Sequence, residues 1–264
     1  GKTRLAGSSS EMGPTLILEC GTGETDSIAA SGGQADVWEM NDITDLLDAY
    51  EYMRHEGCSE YHWLWLDSVS LLEGRLMDEN MEDAVAKNSN RSLYVPDKRE
   101  YQLTQNAIDK FVRRFTQLPI HFGCTAHVMI ETAIADIDED TGKEVEALMY
   151  MPQVQGGRGK LSQKLCGYHH IVGFYDTTKI EGKEVDSLLV KSDGRHAAKD
   201  RFGCLAETVS GKVLNPTMAK IERKVVAKLG SPAKATVAKK SPAKKLPVKK
   251  STVAKKVPAV KKTT

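Results

Sequence analysis

An α/β fold, with a mainly parallel sheet and an antiparallel hairpin extension, is what this sequence predicts. Three observations lead there. Continuous apolar strand patterns alternate with amphipathic helix patterns through the first half of the chain, two hairpin patterns follow, and the closing segment, rich in Lys, Ala and Pro, has no aromatic residue. With 264 residues and 40% apolar content, the chain can bury a core in one large α/β domain or two small ones.

Taken in order, "KTRLAGSSS" reads as a short helix leaving a loop, and "PTLILEC" as a short apolar strand. In "NDITDLLDAYEYMRHEG", Asn41 or Asp42 can cap a helix with an apolar face of Ile43, Leu46, Leu47, Tyr50 and Met53, closed by Gly57. "YHWLWLD" is an unbroken apolar run ending in Asp67, the pattern of a strand covered on both faces. "EYQLTQNAIDKFVRRFTQLP" sets Leu103, Ala107, Ile108, Phe111, Val112 and Phe115 on one helical face and stops at Pro119. "IHFGCTAHVM" reads as a further buried strand. The hairpins are "TAIADIDEDTGKEVEALMYM", with a D-T-G turn, and "HHIVGFYDTTKIEGKEVDSLLVK", with an E-G-K turn.

The formal net charge of +1 hides a strong asymmetry. Of 37 basic and 36 acidic residues, fourteen basic and no acidic ones follow Glu222, so residues 1–222 form an acidic body of net charge −13. The expected organisation is a core over 1–222, a short helical linker over 223–230 and a disordered tail over 231–264. The tail repeats Lys-Lys pairs among Ala, Pro and Val, and such a composition cannot bury enough apolar surface to offset its ordering entropy. It resembles the tails of linker histones and suits neutralisation of nucleic-acid phosphates without sequence readout. The run length needed for a membrane span is absent, so no membrane partner is expected. Five cysteines, odd in number and without a C-x-x-C pair, suggest reduced thiols and a cytoplasmic setting; their spacing with His169 and His170 matches no zinc pattern.

The chain opens with "GKTRLAG", and Gly1, Lys2 and Thr3 supply the last three positions of the phosphate-loop pattern G-x-x-x-x-G-K-[ST]. In such a loop Lys2 would neutralise the β/γ-phosphates of ATP and the Thr3 hydroxyl would bind Mg²⁺. The magnesium shell calls for a carboxylate at the end of a neighbouring buried strand, and Asp67 in "WLWLDS" fits; the other reading of Asp67 is a cap for the helix that follows. Glu19 and Glu24 in "LILECGTGET" are candidates to activate water, with Glu19 favoured because it ends its strand. His127, closing the next strand, stands where a γ-phosphate sensor would. In "HAAKDRFG", Lys199 and Arg201 lie two apart, point the same way, and can act as a finger on a neighbouring subunit's γ-phosphate.

These residues carry a family resemblance. "KDRFG" resembles the K-N-R-F-G motif of bacterial RadA proteins, with Asp200 in place of Asn. Together with "GKT", "LILE", "WLWLDS", "LPIHFGCTAHV" and "PQVQGGRGKLSQKLCGYHHIVGFY", it makes residues 1–225 similar to a bacteriophage RecA-like AAA-type P-loop ATPase of the recombination and single-strand-annealing group. The resemblance implies a RecA-like core whose first strand and loop start lie outside the sequence. It implies Lys2 and Thr3 for nucleotide and magnesium, Asp67 as the Walker B acid, His127 as sensor, and Lys199 and Arg201 as trans-acting finger residues. It also implies a homo-oligomeric ring or filament on single-stranded DNA, with single-strand-binding or annealing proteins as further partners, in the host cytoplasm if phage-encoded.

Between Met151 and Leu165, Gly156, Gly157 and Gly159 make a mobile loop to which Arg158, Lys160 and Lys164 give positive charge. RecA-like proteins bind single-stranded DNA through a loop in this region. The acidic body repels DNA overall, so contact is expected at this loop and at the tail. With only part of the phosphate loop, the chain as given is expected to bind ATP poorly and its complete parent to bind it. A non-enzymatic annealing accessory, with nucleotide as an assembly switch, is the alternative.

Overall fold

Five consecutive buried residues make β1 (Thr15–Glu19), and five more make β3 (Trp63–Asp67). They are the two inner strands of a four-stranded sheet in the order β2-β1-β3-β4, every pairing parallel. The computed structural model describes residues 1–30, 32–137, 144–155 and 160–230. The tail, the D-T-G turn and the Gly156–Gly159 stretch with Arg158 lie outside the described residues.

Both faces of the sheet are covered, which explains the unbroken apolar runs. Leu16, Leu18, Leu64 and Leu66 point into one core with Leu46 of α3 (Ile43–Tyr52), Leu72 and Leu76 of α5 (Val69–Lys87) and Ile108 and Phe115 of α6 (Lys98–Phe115). Ile17, Trp63 and Trp65 point the other way, toward Ala6 of α1 (Lys2–Gly7) and Met218 and Ile221 of α8 (Met218–Leu229). Each Leu, Ile, Phe or Met side chain among these, when fully buried, contributes roughly 1.5–3 kcal/mol relative to exposure.

The edge strands are weaker. In β2 (Asp36–Glu39) only Trp38 is sheltered. The buried strand expected over 120–129 is shorter: β4 (His121–Cys124) ends before Thr125, and Val128 begins a different sheet. Gly123 permits the sheet to close here, because a Cβ at that position would lie 2.4 Å from the Trp65 ring.

Helix caps follow the sequence closely. Asp42, not Asn41, caps α3, its carboxylate accepting from the backbone N–H groups of Thr44 at 2.7 Å and Asp45 at 3.0 Å. α3 gives way to a π-helical turn (Met53–Gly57) and a single turn α4 (Cys58–Glu60), so Gly57 closes a widened turn. Asp97 and Glu100 form a capping box on α6. Two predicted apolar positions fall off the buried faces: Leu47 and Leu103 are exposed, and Thr104 takes the inward place on α6.

The second half is antiparallel, as the hairpin patterns predict. β5 (Val128–Ile137) pairs with β6 (Glu144–Pro152). β8 (Phe174–Ile180) pairs with β9 (Lys183–Leu189) through Glu181 and Gly182, both at positive φ, as a two-residue turn of this hand requires. β9 also pairs with β11 (Lys212–Leu214), and the short β7 (Ile171–Val172) pairs with β10 (Lys199–Asp200). Two readings need correction. The mobile stretch expected to reach Leu165 instead becomes helix α7 (Lys160–Tyr168) from Lys160 onward. The helical linker expected over 223–230 is the second half of α8, whose Met218, Ala219 and Ile221 are buried in the core.

Candidate functional site

Parallel strands bring their C-terminal ends to one edge, and acidic residues gather there. Glu19 ends β1 and Asp67 ends β3, and the two are register partners in the sheet. Both are buried, at 4% and 1% exposure. Glu24, in the turn before the short helix α2 (Asp26–Ala30), completes the group. Its carboxyl is held above its ordinary range, first by burial and then by the charge of Asp67; His127, Glu19 and Lys2 act on it too. Burial and then the Asp67 charge likewise push the Cys20 thiol up. Three carboxylates, Lys2 and His127 therefore share one electrostatic neighbourhood.

The residues differ in what they leave free. Glu19 is occupied: its Oε1 accepts from the Thr25 backbone N–H at 2.9 Å and from the Thr25 hydroxyl at 3.1 Å, and so shapes the turn. Asp67 accepts from the Thr125 hydroxyl through Oδ1. Its Oδ2 is buried without a partner, and so is Oε2 of Glu24. An unsatisfied buried acceptor costs about 1–3 kcal/mol, so two at one edge mark a place built for a cation or donor. Of the two glutamates, Glu24 rather than the favoured Glu19 holds the open oxygen. The alternative for Asp67 is removed as well, because Ser68 caps α5, its hydroxyl accepting from the Leu71 N–H at 3.4 Å.

Gly1 sits at the N-cap of α1, and a Cβ there would overlap the Tyr175 ring at 2.1 Å. Among the described residues, the Lys2 ammonium and the Thr3 hydroxyl have no hydrogen-bond or ion-pair partner. The next residue is fixed: Arg4 pairs with Asp186 of β9 and donates to the Tyr175 hydroxyl at 3.2 Å, orienting α1. The donor set suits magnesium with a phosphate, since that ion takes one or two carboxylates and keeps water and phosphate oxygens rather than an all-protein cage. Consistent with this, the set of three His, Cys, Asp or Glu ligand atoms that falls within 4.8 Å among the described residues lies elsewhere, at His62, His121 and Glu222.

His127 lies in the crossing from β4 to β5, not at a strand end. Its backbone N–H donates to the Ser70 hydroxyl at 2.9 Å and its carbonyl accepts from the Gln153 N–H at 2.8 Å. Ser70 in turn donates to the Gln153 carbonyl at 2.7 Å, and Oε1 of Glu73 accepts from the Gln155 N–H at 2.7 Å. The first turns of α5, directly after Asp67, thus grip the segment that enters the Gly156–Gly159 stretch. Burial raises the Glu73 carboxyl to about 7. Sequence reasoning missed Thr25, Ser70, Glu73 and Thr125; Thr25 acts on Glu19 within one turn, and the other three act on residues distant in sequence.

Lys199 and Arg201 do project together, and their partners lie in the same chain. Lys199 donates to the Cys166 carbonyl at 2.5 Å and Arg201 to the Gly167 carbonyl at 3.0 Å, covering the C-terminal turn of α7. Burial, and then Arg201, lower the Lys199 pKa. Asp200 binds the backbone N–H groups of Phe202, Cys204 and Leu205, each at 2.9 Å, and folds the turn that presents the pair. Lys164 is tied to Asp109 of α6 at 2.9 Å, whereas Lys160 is exposed at the start of α7. Comparison with known proteins finds no family model, no curated protein and no solved structure that matches the chain. Among the described residues no helix is long and apolar enough to cross a membrane.

Proposed function

We propose that this chain is the core of a RecA-like P-loop ATPase, which binds ATP and Mg²⁺ and couples hydrolysis to single-stranded DNA in recombination, annealing or repair. The observation that carries the reading is the convergence of Glu24 and Asp67, each with a buried, unpartnered oxygen, on the sheet edge that also holds Lys2. Magnesium supplies neutralisation of phosphate charge when bound. Lys2 would hold the phosphates, and Thr3 with Asp67, which Thr125 fixes, would hold the ion. Glu24, its pKa raised by burial, is the proton acceptor for the attacking water, in the electrostatic neighbourhood of His127. Ser70 and Glu73 pass the state of this edge to residues 153–155 and so to the proposed DNA loop at Arg158 and Lys160.

Lys199 and Arg201 act as the finger toward a neighbouring protomer in a ring or filament. Their carbonyl partners at the end of α7 hold them until a phosphate competes, and charge-assisted bonds to phosphate are the stronger. The test is ATP turnover, with and without single-stranded DNA, by the chain carrying a complete phosphate loop. DNA-stimulated turnover that falls at least a hundredfold in Asp67→Asn and Glu24→Gln supports the reading. Turnover indifferent to both substitutions would refute it.

A further inference from the structure

The opposite edge of the same sheet carries a second cluster. His62 precedes β3, His121 opens β4 and Glu222 lies on α8, and one ligand atom from each falls within 4.8 Å of the others. His62 Nε2 and Glu222 Oε1 are 3.1 Å apart. About 2 Å metal–ligand bonds in tetrahedral geometry set donor atoms roughly 3.3 Å apart, so this pair already has the required spacing and the third donor, within 4.8 Å of both, has at most roughly 1.5 Å to close.

The surroundings hold these side chains in place. Trp63 donates its indole N–H to the other Glu222 oxygen at 3.2 Å, the kind of outer contact that orients a ligating carboxylate. The Trp63 ring stacks on the His121 imidazole with centroids 4.8 Å apart, and His62 meets His121 edge-on at 4.8 Å. The backbone is fixed too, the His62 N–H donating to the Pro14 carbonyl at 2.8 Å and the His121 N–H to the His62 carbonyl at 3.3 Å. His62 stands five residues before Asp67 in the chain, roughly 16–17 Å at strand rise, and the cluster shares no residue with the carboxylate edge.

We infer that His62, His121 and Glu222 form a binding site for a divalent transition-metal ion, zinc by its donor set, with water in the fourth position, and that the ion fastens α8 to the N-terminal edge of the sheet. Two imidazoles and one carboxylate, with a position left open, are a zinc donor set, whereas magnesium and calcium prefer oxygen alone. The three ligands come from three separate elements, so binding is coupled to the docking of α8.

The experiment is calorimetric titration of the full chain, freed of metal by a chelator, with zinc chloride, alongside thermal melts. His121→Phe keeps the ring stacked on Trp63 without its nitrogens, and Glu222→Gln keeps an acceptor for the Trp63 indole without the charge. The expected result is a site of micromolar affinity or better in the wild type, weakened at least tenfold in each variant. Zinc should raise the wild-type melting temperature by roughly 5 °C at a hundredfold excess over Kd, and that rise should be lost in both variants. Equal zinc affinity and equal thermal shift in wild type and variants would overturn the assignment, as would a wild type that takes up no zinc.

Discussion

Asp67 has two oxygens with different surroundings: one accepts from Thr125, and the other is buried without a partner beside Glu24. A group kept in that state is held against stability. Asp67→Asn removes the charge and retains an acceptor for Thr125, so the variant should be more stable than wild type by about 1 kcal/mol in chemical denaturation, while nucleotide turnover is lost. A destabilised Asp67→Asn would mean the carboxylate is structural. Glu73 makes a prediction in pH. Its ordinary value of 4.5 rises to about 7 in the fold, so between these values the folded state holds more protons than the unfolded one. Its contribution is therefore full below pH 4.5 and lost as pH rises through 7. Glu73→Gln, which still accepts from the Gln155 N–H, should flatten that slope and be the more stable form at pH 8, by on the order of 2–3 kcal/mol. Melting temperatures at pH 5 and pH 8 check this.

Among the elements, the end of α7 separates two roles for Lys199 and Arg201. The Lys199 bond to Cys166 is partly buried and the Arg201 bond to Gly167 is exposed. Lys199→Ala should therefore cost about 1 kcal/mol of stability, whereas Arg201→Ala should leave stability within about 0.5 kcal/mol. Arg201→Ala should abolish turnover with nucleotide binding nearly intact; wild-type turnover in that variant would remove the finger. How far these elements could be foreseen depended on how each one is buried. β1 and β3 are apolar on both faces, and Asp67 was legible because a charge ends such a run. β2 was not, since an edge strand with one sheltered residue has no pattern. α8 read as a linker because its four basic residues, Lys220, Arg223, Lys224 and Lys228, outnumber the three side chains it buries. The trio of His62, His121 and Glu222 was invisible, because only parallel strand register and the packing of α8 bring those positions together.

For the molecule as a whole, charge is divided along the sequence and chemistry along the strand direction. The acidic body holds the open oxygens of Glu24 and Asp67 at the C-terminal edge of the parallel sheet and the pair His62 and His121 at the other. Eleven lysines follow Gly230. Deleting residues 231–264 should flatten the dependence of DNA affinity on salt, since each phosphate contact contributes roughly −0.7 to −0.9 to the log–log slope. An unchanged slope would assign DNA contact to Lys160 and its neighbours. Placement of the aromatic residues has an optical consequence. The chain has three tryptophans: Trp38 stands on β2, and Trp63 and Trp65 stand on β3, their rings stacked 5.6 Å apart. Intrinsic fluorescence therefore reads the central sheet directly, with Trp63 lying against His121, where a protonated ring quenches emission. The lysine tail is dark, so a change in emission on adding a ligand separates events at the sheet from events in the tail without any label.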